Sequence, residues 1–220
     1  MADASLNPDR ALHQPEFDAL AVTLADVLAR DFGVPARGRC VVGIAGESGS
    51  GKSVTATTLA RVLGTRGVAA AVLYQDDYFR RPPRVNHAAR LADLAAVGPH
   101  EVNLLLLAEQ VAAFRAGADA VEGPLVDYAN DRFLTQRHAL AGRSVLIVEG
   151  TYALHLDDLD VRVFLEATHL DTAERRAARA RDHHEPIIDV ILDIEHRIIA
   201  RQAERAHVVV DREFRVVRRP

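Results

Sequence analysis

Eight consecutive residues, Gly46-Glu47-Ser48-Gly49-Ser50-Gly51-Lys52-Ser53, have types and spacing that point to chemistry on a phosphate. They follow the apolar run Cys40-Val41-Val42-Gly43-Ile44-Ala45 and lead into Val54-Thr55-Ala56-Thr57-Thr58-Leu59-Ala60. The order is strand, glycine-rich turn, helix, with G-x-x-x-x-G-K-[ST] at the turn. Gly49 and Gly51 can take the positive φ angles that aim successive backbone N–H groups at one anion. The helix that opens near Gly51 and runs on through Val54 adds unpaired N–H groups and the positive end of its dipole. Lys52 supplies a flexible point charge for β- and γ-phosphates, and the Ser53 hydroxyl can ligate Mg²⁺. The plain alternative is a chance match in a turn rich in Gly and Ser. The strand and helix on either side argue against chance, so residues 46–54 are expected to hold a nucleoside triphosphate.

The elements around this turn bring further acidic groups toward it. The run Val68 to Gln75 is almost wholly apolar, as a parallel strand covered on both faces should be, and it ends in Asp76-Asp77-Tyr78-Phe79. Ser144 to Gly150 is a second such strand, ending in Glu149. Carboxylates at the C-terminal ends of parallel strands sit beside the crevice where such sheets bind ligands. Asp160–Glu166 and His207–Val210 complete five strands, the last followed by a short polar tail. Helical spacing predicts helices over 16–32, 103–117, 171–182 and 186–205, besides the one after the glycine-rich turn. The segment Arg80-Arg81-Pro82-Pro83-Arg84 reads as a basic turn, and 118–142 as an irregular hairpin projecting from the sheet. Strands alternating with helices mean an α/β fold, a mostly parallel sheet with helices on both faces. One domain over 1–220 is expected, with a tail and helix over 1–36.

Composition excludes several classes. The chain has 220 residues, 49% of them hydrophobic, enough for a real core. Its formal net charge is −4, so no global basic field draws it to nucleic acid or to a membrane. A single cysteine, Cys40, precludes an internal disulfide framework and fits a reducing compartment. No apolar signal core opens the sequence and no run approaches the length of a membrane span, so a cytoplasmic protein is expected. His183, His184, Asp189, Asp193 and His196 include helical spacings that suit a metal, but read more simply as a solvated face. Homo-oligomerisation is left open.

The phosphate loop, Tyr74-Gln75-Asp76-Asp77-Tyr78-Phe79, Val126-Asp127-Tyr128 and Val145-Leu146-Ile147-Val148-Glu149-Gly150 occur in the order seen in the uridine kinase and phosphoribulokinase superfamily, which this chain resembles over about residues 39–212. The resemblance implies a P-loop NTPase fold of the nucleoside-monophosphate-kinase type, a five-stranded parallel sheet flanked by helices, with a lid at 171–186 and an acceptor-site hairpin. It implies ATP-dependent, Mg²⁺-assisted phosphoryl transfer to a hydroxyl of a small metabolite. Asp76 falls on the family's catalytic base, which in a loose transition state chiefly orients the hydroxyl and takes its proton late. A turn or cap residue is the alternative for Asp76, and Asp77 is the better candidate cap, though the pair could hold Mg²⁺ through water. Glu149 falls on the second acidic position, set to reach Mg²⁺ with Ser53 or to oppose Lys52. Gly150 beside it would leave room for backbone near the ligand.

Arg175, Arg176, Arg179 and Arg181 fall where the family carries lid arginines. The first three lie within about 100° on a helix, where they could clamp the transferring group, Arg175 and Arg179 being the named candidates. A solvated face paired to Asp171, Glu174 and Asp182 is the alternative. For the acceptor the resemblance points to Asp127, Tyr128 and Tyr78. The family's histidine after its Y-D-[FY] block is replaced by Asn130-Asp131-Arg132, and its D-H-P-x-A-[FY]-D block appears as Val97 to Asn103 with its carboxylates lost. Arg80, Arg81, Arg84 and Arg132 could instead receive an anionic acceptor, or be plain surface arginines. A uridine-like acceptor is the first expectation. An acidic or phosphorylated acceptor, or a regulator that binds nucleotide without transferring phosphate, are the alternatives.

Overall fold

A computed structural model describes residues 15–34, 38–171 and 186–219. The chain enters through helix α1 (Pro15–Phe32), which has Glu16 and Asp18 in its first turn and Arg30 in its last, a charge order that complements its dipole. Gly33, at φ 64°, ends it. Its buried stripe, Phe17, Leu20, Leu24, Val27 and Leu28, lies against helix α2 (Lys52–Thr65) and the sheet. Truncating a core leucine such as Leu28 to alanine would cost about 2–5 kcal/mol.

The main sheet has six strands in the order β2 (Ala70–Tyr74), β5 (Val145–Glu149), β1 (Cys40–Gly46), β6 (Val161–Leu165), β7 (Val208–Val210) and β8 (Val216–Arg218). The first five run parallel, as the sequence predicts. The sixth is a correction: the C-terminal stretch read as a polar tail turns back at Asp211–Arg215 and adds β8 antiparallel to β7. Its three residues alternate too briefly to signal a strand. The sheet is buried on both faces. Val42, Ile44, Ile147 and Val163 face α1 and α2. Val41, Ala45, Leu146, Val148 and Phe164 face the other way, onto Leu107, Val111 and Phe114 of helix α4 (Leu104–Arg115) and onto Ile199, the last residue of helix α5 (Pro186–Ile199).

Two pieces depart from the sequence reading. Residues Pro83–Ala92 form a helix, α3, where a basic turn is expected. Pro82-Pro83 reads as a breaker, yet Pro83 stands in the first turn, where a missing N–H costs nothing. The segment read as an irregular hairpin is a regular antiparallel pair, β3 (Ala120–Asp127) with β4 (Arg132–Ala139), in register from Ala120 opposite Ala139 to Asp127 opposite Arg132. Gly123-Pro124 imitates a turn in the sequence. In the fold Gly123 is needed because a Cβ there would come within 2.8 Å of the Tyr78 hydroxyl. No helix among the described residues is long and apolar enough to cross a membrane.

Candidate active site

The parallel strands β2, β5 and β1 end together, and their tips carry the candidate residues. Tyr74 at the end of β2 stands beside Glu149 at the end of β5, which stands beside Ile44 of β1. Two strand spacings therefore separate β2 from β1, about 10 Å. The glycine-rich turn leaves β1 with Gly49 at φ 81° and Gly51 at φ 94°, the left-handed conformations expected of them. Lys52 is buried and its Nζ donates to the Glu47 carbonyl at 2.9 Å. The Ser53 hydroxyl donates to Glu149 Oε1 at 2.9 Å, and Glu149 is buried. A hydroxyl and a carboxylate side by side at a phosphate-binding turn are hard oxygen donors, the kind Mg²⁺ takes. The Tyr74 hydroxyl and Thr57 Oγ1, 2.9 Å apart, tie β2 to the first turns of α2.

The turn has a support that the sequence does not reveal. Phe17 of α1 lies directly under Gly51, so close that a Cβ on Gly51 would stand 2.4 Å from the ring. The N-terminal helix thus forms the floor of the phosphate loop. Phe214 meets Phe17 edge-on, with ring centroids 5.1 Å apart.

Beyond the tip of β2, Asp76 sits in a single 3₁₀ turn, Gln75–Tyr78, and is half-buried. It lines a cavity of about 130 Å³ together with Phe79, Arg81, Pro83, Asn86, Arg90, Val126 and Tyr128. Asp77 beside it is buried and accepts from the Val126 N–H at 3.0 Å, so it fastens the hairpin to the tip of β2. Gln75 accepts from the Tyr152 N–H at 2.6 Å. Its side chain occupies the space that Gly150 leaves, where a Cβ would come within 2.3 Å; the room expected for a ligand is taken by Gln75.

A match to the model of the Phosphoribulokinase / Uridine kinase family runs over residues 41–216, taking in both the phosphate loop and the cavity. The chain belongs to that family. Among relatives, it is 30% identical over 193 residues to the bifunctional alpha-galactosidase/sucrose kinase AgaSK of Mediterraneibacter gnavus, an alignment covering 81% of this chain and 20% of that protein. It is 32% identical over 130 residues to a uridine kinase of Staphylococcus haemolyticus, covering 57% of this chain and 61% of the relative. The match thus spans about three-fifths of that uridine kinase and a fifth of the bifunctional protein. The fold is shared with a solved possible uridine kinase from Bacillus stearothermophilus, with a TM-score of 0.63 and 21% identity over 88% of this chain and 98% of the other.

Within this family the acceptor side departs from the expectations. Tyr78, expected at the substrate, is 1% exposed and donates to Gln110 Oε1 at 2.5 Å in the core. Gln110 in turn donates to the Glu122 carbonyl, so Tyr78 helps seat the hairpin rather than meet a ligand. Asp127, also expected at the substrate, closes the hairpin turn. Its Oδ1 accepts from the Asn130 N–H at 3.2 Å, and its Oδ2 accepts from Asn130 Nδ2 at 2.7 Å and Arg132 Nε at 3.0 Å. The Asn130 amide, followed by the Arg132 guanidinium, holds the Asp127 carboxyl below the usual carboxylate range. Arg132 is largely exposed and engaged with Asp127. Arg80 donates to the His100 carbonyl and Arg84 gives its backbone N–H to Asp131. Of the named acceptor residues, Arg81 and Tyr128 line the cavity with Asp76. Arg175, Arg176, Arg179 and Arg181 lie outside the described residues.

Two residues on the unforeseen helix α3 complete the cavity wall. Arg90 pairs with both oxygens of Glu101 at 2.6 and 2.9 Å and with Glu195 at 2.9 Å. Asn86 Nδ2 donates to Glu101 Oε1 at 2.8 Å, and the Gly98 N–H donates to Glu101 Oε2 at 2.8 Å. Glu101 lies inside the block that looked stripped of carboxylates, and it organises this wall. Burial works against the charge on Arg90, but Glu195 and Glu101 outweigh it and hold the guanidinium above its ordinary range. Burial pushes the Glu195 carboxyl up, against the pull of Arg90. Cys40 takes no part: burial, with Asp160 nearby, pushes its thiol up to about 12, far from a nucleophilic thiolate.

Proposed function

We propose that this chain is an ATP-dependent kinase that transfers the γ-phosphoryl group to a hydroxyl of a small acceptor held against Asp76. The observation that carries this reading is the placement of Asp76 on the wall of a cavity, two residues beyond the strand tip that pairs with Glu149. In this reading the loop amides and Lys52 cradle the phosphates, and a Lys52 drawn off the Glu47 carbonyl follows the charge as it develops. Ser53 and Glu149 would hold Mg²⁺, which neutralises charge between the β- and γ-phosphates when bound. Asp76 accepts a hydrogen bond from the attacking hydroxyl, aligns it with the phosphorus, and takes its proton as the bond forms. One O–P bond forms as the bond to the β-phosphate oxygen breaks, leaving ADP.

The cavity beside Asp76 is half open, so it sets the surroundings of the reacting hydroxyl and leaves room for the rest of the acceptor to extend outward. Asp127 and Tyr78, on which a uridine-like acceptor depended, are committed to the hairpin. That commitment weakens the nucleoside reading, and the relative named in part as a sucrose kinase supports a sugar or polyol acceptor. One observation supports a second reading. Arg81 is exposed on the cavity wall with no carboxylate partner among the described residues, as a hydroxy acid or sugar phosphate would require.

ADP release against a panel of nucleosides, free sugars, sugar acids and sugar phosphates tests these readings together. A free sugar or polyol should turn over well above background and a nucleoside poorly. Preference for an acid or phosphate, lost in Arg81→Gln and weakened by salt, selects the second reading. Background rates throughout would leave a nucleotide-binding protein without transferase activity.

A further inference from the structure

Glu47, the second residue of the phosphate loop, is buried and meets two histidines from distant parts of the chain. Its Oε2 accepts from the His169 backbone N–H at 2.6 Å and lies 3.0 Å from His169 Nδ1. Its Oε1 lies 2.6 Å from Nδ1 of His196, on the α5 helix. One potential ligand atom from each of the three falls within 4.8 Å of the others. The sequence placed His196 on a solvated face, and spacing within one helix could not have predicted this meeting.

Proton accounting makes the cluster informative. A neutral imidazole has one N–H and one lone pair. His169 presents Nδ1 to the Glu47 carboxylate, while its Nε2 lies 3.4 Å from Asp193 Oδ1. Asp193 stands within ion-pair reach of Nε2 without a hydrogen bond to it, while Nδ1 faces Glu47. A divalent ion between Glu47 and the two rings would use Nδ1 as its ligand atom. It takes the lone pair there and leaves the N–H on Nε2 for Asp193, the carboxylate–histidine–metal arrangement that fixes ring orientation in metal sites. Two imidazoles and one carboxylate form the donor set of three-ligand zinc sites that keep a fourth position open. Ligand atoms about 2.0–2.2 Å from such an ion stand roughly 3.3 Å apart. The 3.0 and 2.6 Å contacts run to different oxygens of Glu47, and bringing three donor atoms that lie within 4.8 Å of one another to that spacing takes a rotation of the His196 ring, which at 41% exposed has room.

We infer that Glu47, His169 and His196 bind a borderline divalent ion of the zinc type, with Asp193 orienting His169. The site is distinct in chemistry from the hard oxygen pair Ser53 and Glu149, since imidazole nitrogen selects Zn²⁺ or Co²⁺ over Mg²⁺. It joins the phosphate loop to the stretch after β6 and to α5, three segments far apart in sequence.

The test uses the full chain without a histidine tag, stripped by a chelator and free of nucleotide. Co²⁺ is followed by its visible absorption, and Zn²⁺ by competition with a chromophoric chelator. One equivalent of Co²⁺ should bind with the strong bands of a tetrahedral site and be displaced by Zn²⁺. His196→Ala and His169→Ala should each weaken Zn²⁺ by at least about 100-fold, and Asp193→Asn by about 10–100-fold. Glu149→Gln should leave Zn²⁺ affinity unchanged, which separates the site from the Mg²⁺ pair. His196 is partly exposed, so its variant should retain a cooperative thermal transition while losing the rise in Tm that Zn²⁺ gives the wild type. Only a weak octahedral cobalt spectrum in the wild type, or equal Zn²⁺ affinity in wild type and His196→Ala, would overturn the inference.

Discussion

The phosphate loop and the cavity proposed for the acceptor, here called the nucleotide and acceptor walls, are built by different means. The nucleotide wall is a continuous stretch, β1, turn and α2, stiffened from below by Phe17 and closed at its end by Ser53 on Glu149. The acceptor wall is assembled from pieces far apart in sequence: Asp77 holds the hairpin through Val126, and Arg90 joins α3 to Glu101 and Glu195. Local backbone conformation decides the first wall, and buried polar links decide the second. The first should therefore tolerate changes in polar side chains beneath it but not added volume. The second should respond in the opposite way.

The largest expected effect lies where the walls meet. Asp76→Asn should lower turnover by about 10²–10⁴-fold and leave ATP affinity by calorimetry nearly unchanged, because it alters the acceptor wall alone. An equal loss of ATP affinity would mean that the two walls are not separable. Next, Arg90→Ala leaves Glu101 and Glu195 buried without their cation, and unfolding by denaturant should show a loss of about 3–5 kcal/mol. The acceptor KM should rise more than the ATP KM, since Arg90 lines the cavity.

On the other wall, Gly51→Ala adds a Cβ against Phe17 at a φ of 94°. A side chain in that conformation costs about 1–3 kcal/mol before the clash is counted. ATP affinity should fall with stability, and Phe17→Leu in the same chain should restore part of both. No restoration would mean that Phe17 does not act as the floor.

The smallest effect concerns pH and the hairpin. Asn130 and Arg132 hold the Asp127 carboxyl below its ordinary value of 3.8, so its contribution is present above that value and lost as pH falls further. The stability difference between wild type and Asp127→Asn should be constant above about pH 5 and shrink below pH 4, with ATP binding alike in both at neutral pH. A difference that grows in acid would contradict this role.

The same contrast explains what the sequence could convey. The nucleotide wall was legible because the conformation of Gly49, Gly51 and Lys52 is encoded within eight neighbouring residues. The five parallel strands were legible because burial on both faces leaves unbroken apolar runs. The acceptor wall was not, for particular reasons. Pro83 hid α3 by looking like a breaker, and Gly123-Pro124 hid a regular strand by looking like a turn. Tyr78 and Asp127 matched a family pattern, but whether such groups face a ligand or the hairpin depends on Gln110 and Asn130. Neither partner announces itself. Phe17 beneath Gly51 is a contact between α1 and a turn over thirty positions later, which helical periodicity marks as buried without saying against what.

Asp76 acts as proposed only where the acceptor's hydroxyl lies against it. A crystal structure with a non-hydrolysable ATP analogue, Mg²⁺ and the accepted alcohol measures this directly. The account predicts the reacting oxygen about 2.6–3.2 Å from an Asp76 carboxylate oxygen and in line with the γ-phosphorus. An acceptor seated away from Asp76, with that carboxylate turned to solvent, would contradict it.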